Sequence, residues 1–255
     1  MKNKKILGII PARFASTRFP GKPLVEIWGK TMIQRVYEQC DKSKLFDDLV
    51  IATDDKRIEE EVMRFGGKVV QTQANHQSGT DRCAEVLANI SELYDVVVNI
   101  QGDEPFVHAN DLKMLIQSFD NDWVDISTLA ASITESSELF DANKVKVVLG
   151  ANQQALYFSR ATIPYVRGEE TENWMDKHTF YKHLGVYAYK SSVLKKVATL
   201  PMGKLELLEN LEQLRWLEAG YTISVQLTEN KVIAVDTPED LKKILENDAL
   251  KSLES

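Results

Sequence analysis

The sequence predicts an α/β protein built on a mainly parallel sheet, and three observations carry that prediction. Apolar runs, Ile6 to Ile10 and Asp95 to Ile100 foremost, read as strands buried on both faces. Stretches with helical periodicity lie between such runs, giving a βαβ rhythm. A chain of 255 residues, 44% hydrophobic and 27% charged, suits one large α/β domain or a domain with a modest subdomain.

Ile6 to Ile10 is the first strand and opens into PARFASTRFPGKPL, Pro11 to Leu24, where Arg13, Arg18 and Lys22 converge on one loop. Pro11 and Pro20 restrict the backbone, Gly21 permits close approach or a positive φ, and Ser16 and Thr17 add hydroxyls beside free amides. In α/β proteins ligands bind beyond the carboxyl ends of the strands, so this loop suits a polyphosphate. Thr31 to Cys40 follows as a packing helix. Gly29-Lys30-Thr31 imitates the end of a phosphate-binding P-loop, but that motif needs a glycine five positions before its second one, where Leu24 stands.

Leu49 to Thr53 reads as a strand, Lys56 to Phe65 as a helix and Lys68 to Gln71 as a short strand. Asp54 and Asp55 either cap that helix, the favoured role, or meet a ribose or metal. The segment NHQSGTDR sets Ser78, Gly79 and Thr80 at the start of a helix, Asp81 to Ile90. That placement fits an acceptor-rich ligand and an ordinary cap equally well. Asp95 to Ile100 then runs into Gln101-Gly102-Asp103-Glu104-Pro105, where two carboxylates at the end of a central strand make a magnesium address, the alternative being a solvated acidic turn.

Asp111 to Phe119 reads as helix, and Ile126 to Ile133, Lys144 to Leu149 and Ala155 to Ser159 as strands, the last leaving through Arg160. Residues 165 to 180 are polar and irregular and suit a mobile flap or a dimer contact. Tyr181 to Tyr189 is a strand around His183, and the histidines lack metal-site spacing. Lys204 to Ala219 reads as one amphipathic helix with Leu207, Leu208, Leu211, Leu214 and Leu217 inward and its acids toward solvent. Strands Thr222 to Leu227 and Val232 to Val235 precede a final helix to about Ala249, capped by Asp236 or Thr237 with Pro238 in its first turn.

A formal net charge of −7 argues against a general nucleic-acid or membrane surface while permitting a local cationic pocket. Cys40 and Cys83 suggest neither a disulfide framework nor a zinc site. The apolar run behind Lys2, Lys4 and Lys5 is too short for a signal peptide, and no stretch approaches transmembrane length, so the cytoplasm is expected. Without a linker or repeat, residues 1–255 are expected to form a single domain.

Taken together and in order, PARFASTRFPGKPL, NHQSGTDR, NIQGDEP, NKVKVVL, ALYFSRATIPY, KHLGVYAY, LELLENLEQLRWLEAG and VDTPEDL resemble the CMP-Kdo synthetases, the 3-deoxy-manno-octulosonate cytidylyltransferases. The match spans nearly the whole chain, and YFSRATIP with KHLG points to the Kdo branch. The resemblance implies a Rossmann-like nucleotide-diphospho-sugar transferase fold, with a mixed, mainly parallel central sheet flanked by helices. A small β-rich dimerisation portion at about 125–190 and a homodimer are also implied.

The implied reaction transfers CMP from CTP to the anomeric hydroxyl of Kdo, releases pyrophosphate, requires Mg2+ and supplies lipopolysaccharide synthesis. By motif position Arg13, Arg18 and Lys22 resemble the triphosphate grip, and Asp103 and Asp236 the magnesium ligands. Ser78, Gly79, Thr80, Arg82 and Gln101 resemble the cytidine wall, and Arg160, His183, Tyr187, Glu212 and Gln213 the sugar-acid pocket. In-line attack on the α-phosphorus asks the protein for positioning, metal and a cationic cradle rather than a covalent nucleophile. Alternatives are a synthetase for 8-amino-Kdo or sialic acid, a glycosyltransferase, whose Asp-x-Asp motif is not matched by Asp103-x-Pro105, and a non-catalytic nucleotide-sugar binding protein.

Overall fold

The computed structural model describes residues 4–15, 18–230 and 233–252. The chain forms an α/β fold in two compact units, Met1–Asn110 with Lys231–Ser255, and Asp111–Asn230. Ser16, Thr17 and Val232, which entered the sequence reading, lie outside the described residues.

The first unit alternates strand and helix: β1 (Ile6–Ala12), β2 (Glu26–Ile27), β3 (Lys30–Thr31), α1 (Met32–Lys42), β4 (Asp48–Thr53), α2 (Lys56–Arg64), β5 (Val69–Gln71), α3 (Gly79–Asn89) and β6 (Val96–Asn99). β1 pairs in parallel with both β4 and β6, and β4 pairs in parallel with β5. Leu7, Ile9, Ile10, Ile51 and Val97 are wholly buried, as expected of parallel strands covered on both faces. The parallel register brings the loops after β1 and β6 out at the same end of the sheet.

The second unit holds α4 (Ala109–Gln117, beginning at the unit boundary), β7 (Ile126–Ser132), α5 (Ser136–Phe140), β8 (Lys146–Leu149), β9 (Ala155–Ser159), α6 (Trp174–Lys177), β10 (Tyr181–Lys190), α7 (Ser191–Val197), α8 (Lys204–Glu209), α9 (Gln213–Glu218) and β11 (Ile223–Thr228). β7 runs parallel to β11 and antiparallel to β10, and β8 pairs antiparallel with β10 and β9. Thr228 Oγ1 and Asn230 Nδ2 donate to the buried Asp111 carboxylate at 2.7 and 2.9 Å, tying the end of this unit to its start. The chain then returns to the first unit for α10 (Pro238–Leu245) and α11 (Asp248–Ser252).

Several elements depart from the sequence reading. The helix expected over 204–219 is broken into α8 and α9 at Asn210, whose φ is 52°. Leu207 and Leu208, expected inward, are 62% and 83% exposed, while Glu206 and Gln213 are buried. The irregular 165–180 segment contains α6, and Trp174 is buried in a cluster with Ile133, Leu139 and Phe180. Residues 233–235 are not strand; instead Val235 joins Ile27, Met32 and Ile244 in a buried cluster. The β2–β3 hairpin and α7 were not anticipated.

Candidate active site

In the first unit a cavity of about 300 Å³ is lined by Arg13, Arg18 and Lys22 from the loop after β1, and by Gln101 and Asp103 from the loop after β6. Ser78, Gly79 and Arg82 line it from α3, and Asp236 from the segment before α10. The charges are tightly arranged. Lys22 Nζ donates to Asp103 Oδ2 at 2.6 Å and to Asp236 Oδ1 at 3.3 Å, the latter 214 residues away in sequence. Arg18 Nη2 donates to the same Asp236 oxygen at 3.3 Å.

Local chemistry explains the placement. Gly21 takes φ 74°, which favours glycine, and its amide donates to Phe14 O at 3.0 Å, closing the cation-bearing loop. The Phe14 ring is covered by the Arg57 guanidinium, 3.3 Å from the ring centroid. Asp55 holds Arg57 through both carboxylate oxygens at 2.9 and 2.6 Å and caps α2, the role favoured from sequence. Val235 N donates to Asp103 O at 3.0 Å, which draws Asp236 to Asp103. Thr237 caps α10 and forms a reciprocal box with Asp240, so the Asp236 carboxylate is not spent on the helix.

Ser78 caps α3, its hydroxyl accepting from Asp81 N at 3.1 Å, so capping and cavity lining coexist here. Arg82 is buried and engages Thr72 Oγ1 and the Asp54 carboxylate, the latter at 2.9 Å. Thr80, expected beside the cytidine, is buried and is not among the cavity-lining residues. His76, Gln77 and Gly102 line the cavity without having been singled out from sequence. His76 bonds Glu85 through Nε2, a pairing across α3 that no spacing motif reveals. Among the described residues no group of three or more His, Cys, Asp or Glu side chains could hold a metal.

The residues expected at the sugar acid all lie in the second unit. Arg160 follows β9, and among the described residues its guanidinium donates only to neutral main-chain oxygens: Glu209 O from Nε at 2.7 Å, Ala142 O from Nη1 at 3.2 Å and Asn210 O from Nη2 at 3.3 Å. Two of these carbonyls are freed by the break between α8 and α9. The Glu209 carboxylate is turned to the strand end instead, accepting from Ser159 Oγ at 2.6 Å and Arg160 N at 2.9 Å. Glu209 had no role in the sequence reading, because a continuous helix would have kept its carbonyl.

His183 and Tyr187 lie on β10, and Glu212 and Gln213 at the start of α9. The Thr128 hydroxyl donates to Val186 O at 2.8 Å, so its oxygen accepts from His183 Nε2 at 3.0 Å. Burial against Phe158 and Tyr187 pushes the imidazole down to about 3, leaving it neutral with Nδ1 as an acceptor. The Tyr187 hydroxyl is buried without a hydrogen-bond partner among the described residues, and burial, with Glu212 nearby, raises it well above a phenol's usual value.

Comparison with known proteins shows which family the chain belongs to. The cytidylyltransferase family model matches residues 7–230. The 3-deoxy-manno-octulosonate cytidylyltransferase of Parabacteroides distasonis is 53% identical over 245 residues, 94% of this chain and 97% of that protein. The protein of the same name from Bacteroides thetaiotaomicron is 52% identical over 93% of this chain and 96% of its own length. A solved CMP:2-keto-3-deoxy-manno-octonic acid synthetase, complexed with CTP, superposes with a TM-score of 0.89 at 40% identity, covering 98% of this chain and all of that one. The 4-diphosphocytidyl-2C-methyl-D-erythritol synthase of Anaerococcus prevotii shares the fold at a TM-score of 0.61 and 13% identity, over 99% of each chain. The chain therefore belongs to the cytidylyltransferase family, in the group of the 3-deoxy-manno-octulosonate cytidylyltransferases.

Proposed function

We propose that this protein transfers CMP from CTP to the anomeric hydroxyl of Kdo, releasing pyrophosphate and supplying activated sugar for lipopolysaccharide. The observation that carries this is the convergence of Arg18, Lys22, Asp103 and Asp236 on one cavity, in a chain so similar to enzymes of that name. Arg13, Arg18 and Lys22 grip the triphosphate, and the loop closed by Gly21 and Phe14 holds them without reorganisation during reaction. Ser78, Gly79, Arg82 and Gln101 form the wall for cytidine.

Magnesium is part of the proposal. Asp103 and Asp236 already share one cation, the Lys22 ammonium, and two hard carboxylates completed by phosphate oxygens and water suit magnesium better than a closed protein cage. These two residues would hold it, and when bound it would neutralise charge on the reacting phosphates. In the second unit the Arg160 guanidinium takes the sugar's carboxylate, and neutral His183 accepts a sugar hydroxyl at Nδ1. The Tyr187 hydroxyl, Glu212 and Gln213 bind the remaining hydroxyls. The reading includes a cytoplasmic homodimer of single-domain chains; light scattering tests the dimer.

The functional test is pyrophosphate release from CTP and magnesium with Kdo, 8-amino-Kdo and sialic acid in parallel. Release with Kdo that vanishes in Asp103→Ala is expected. Release with another acid alone would replace the substrate, and release with none would return weight to a binding protein.

A further inference from the structure

Lys146 on β8 has no exposed surface. Its ammonium donates to three main-chain carbonyls, Asp141 at 2.9 Å, Lys144 at 2.6 Å and Arg160 at 2.6 Å. All three of its donors are thus satisfied by neutral acceptors, with no direct ion pair to a carboxylate among the described residues. Burial lowers its pKa, against the pull of the Asp141 and Glu209 carboxylates, which raise it, while nearby Arg160 lowers it further. An apolar side chain would fill the same place on a short strand without the cost of burying a charge. The ammonium therefore calls for an explanation beyond packing.

The geometry around Arg160 supplies one. Two of the carbonyls that Lys146 holds belong to the turn from Asp141 to Lys144, and that turn's Ala142 carbonyl accepts from Arg160 Nη1. The third is the carbonyl of Arg160 itself. Lys146 thus grips the guanidinium from two sides, through the main chain that carries it and through the turn on which it leans. Lys146 and Arg160 together form a frame built of carbonyl oxygens, in which the guanidinium is oriented while its charge stays available to an anion.

We propose that Lys146 is a positioning residue for the sugar acid, locking the Asp141–Lys144 turn and the Arg160 main chain so that the guanidinium meets the substrate carboxylate in one orientation. This rests on Arg160 binding that carboxylate. The test is steady-state kinetics with CTP and Kdo on Lys146→Met, Lys146→Gln and Arg160→Ala, and on Lys146→Met combined with Arg160→Ala. Folding is monitored by thermal unfolding and by CTP binding.

A folded Lys146→Met protein should raise the KM for Kdo at least tenfold while the KM for CTP stays within twofold. On the Arg160→Ala background the same change should add less than twofold. A wild-type KM for Kdo in a folded Lys146→Met or Lys146→Gln protein overturns the proposal, as does an undiminished effect on the Arg160→Ala background. If neither Met nor Gln permits folding, Lys146→Arg decides. Its fork cannot donate to all three carbonyls from one atom, so an unchanged Kdo KM overturns the proposal and a raised one supports it. An unchanged Kdo KM in Arg160→Ala alone removes the underlying role of Arg160, an outcome distinct from failure of the Lys146 effect.

Discussion

Gly102 shows how much a single missing side chain can matter. A Cβ at this position would lie 2.9 Å from Pro11 O, closer than such contacts occur, and both residues line the cavity proposed to hold the nucleotide. Gly102→Ala must therefore push the loop after β6 away from the loop after β1. CTP affinity should fall at least tenfold by calorimetry, with the thermal midpoint changed by only a few degrees. At His183 the prediction concerns pH. Its value falls from 6.5 to about 3 through burial, so below 6.5 the unfolded chain binds a proton that the folded chain refuses. The stability due to the neutral ring is present above pH 6.5 and is lost as pH falls toward 3. The loss approaches about 1.4 kcal/mol per pH unit. Denaturant titrations between pH 7 and 5 should show that slope in the wild type and its reduction in His183→Asn.

At the scale of the element, the break between α8 and α9 is the departure with the clearest physical reason. The apolar spacing from Lys204 to Ala219 is continuous, and nothing in periodicity marks Asn210 as left-handed. The broken form gains two things a straight helix cannot give. Arg215 reaches back to buried Glu206 through Nε and Nη2 at 2.7 and 2.6 Å, and Arg160 takes the carbonyls of Glu209 and Asn210. Glu206→Ala would take the carboxylate from mostly buried Arg215, whose Nη1 still donates to Leu200 O at 3.1 Å, and leave a cavity beside it. Equilibrium unfolding should show a loss of about 3–5 kcal/mol, the usual result of removing one partner of a buried pair. Unchanged stability would mean that solvent reaches the pair. The strands were far more legible: Ala155–Ser159 was anticipated to the residue, because β-rich apolar runs bounded by turns leave little alternative.

For the whole molecule, the division into two units separates the residues of the two expected substrates. The nucleotide set, from Arg13 to Asp103 and Asp236, lies in the first unit, and the sugar-acid set, from Arg160 to Gln213, in the second. Substitutions should divide likewise: Arg18→Ala should raise chiefly the KM for CTP, and Arg160→Ala chiefly that for Kdo, each by at least tenfold in initial-rate assays. Equal effects on both substrates from either change would contradict that division. The sequence held no linker or composition shift at Asn110 or Lys231, because the boundary falls inside α4 at one end and beside the Asp111–Thr228 bond at the other.

By itself the sequence determined the α/β class, the order of the main strands along the chain and, through its motifs, the family, and it singled out Arg13, Arg18, Lys22, Ser78, Gly79, Arg82, Gln101, Asp103 and Asp236, which line one cavity of the first unit. These follow from local periodicity and from short segments whose chemistry is contiguous. Only the tertiary structure decided that Asp236 meets Lys22 rather than capping α10, that Asn210 breaks a helix and that Lys146 is caged by carbonyls around Arg160. The first two involve contacts between segments distant in sequence and the third a cage closed by the Arg160 carbonyl, and no local pattern records which partner a buried polar group will find.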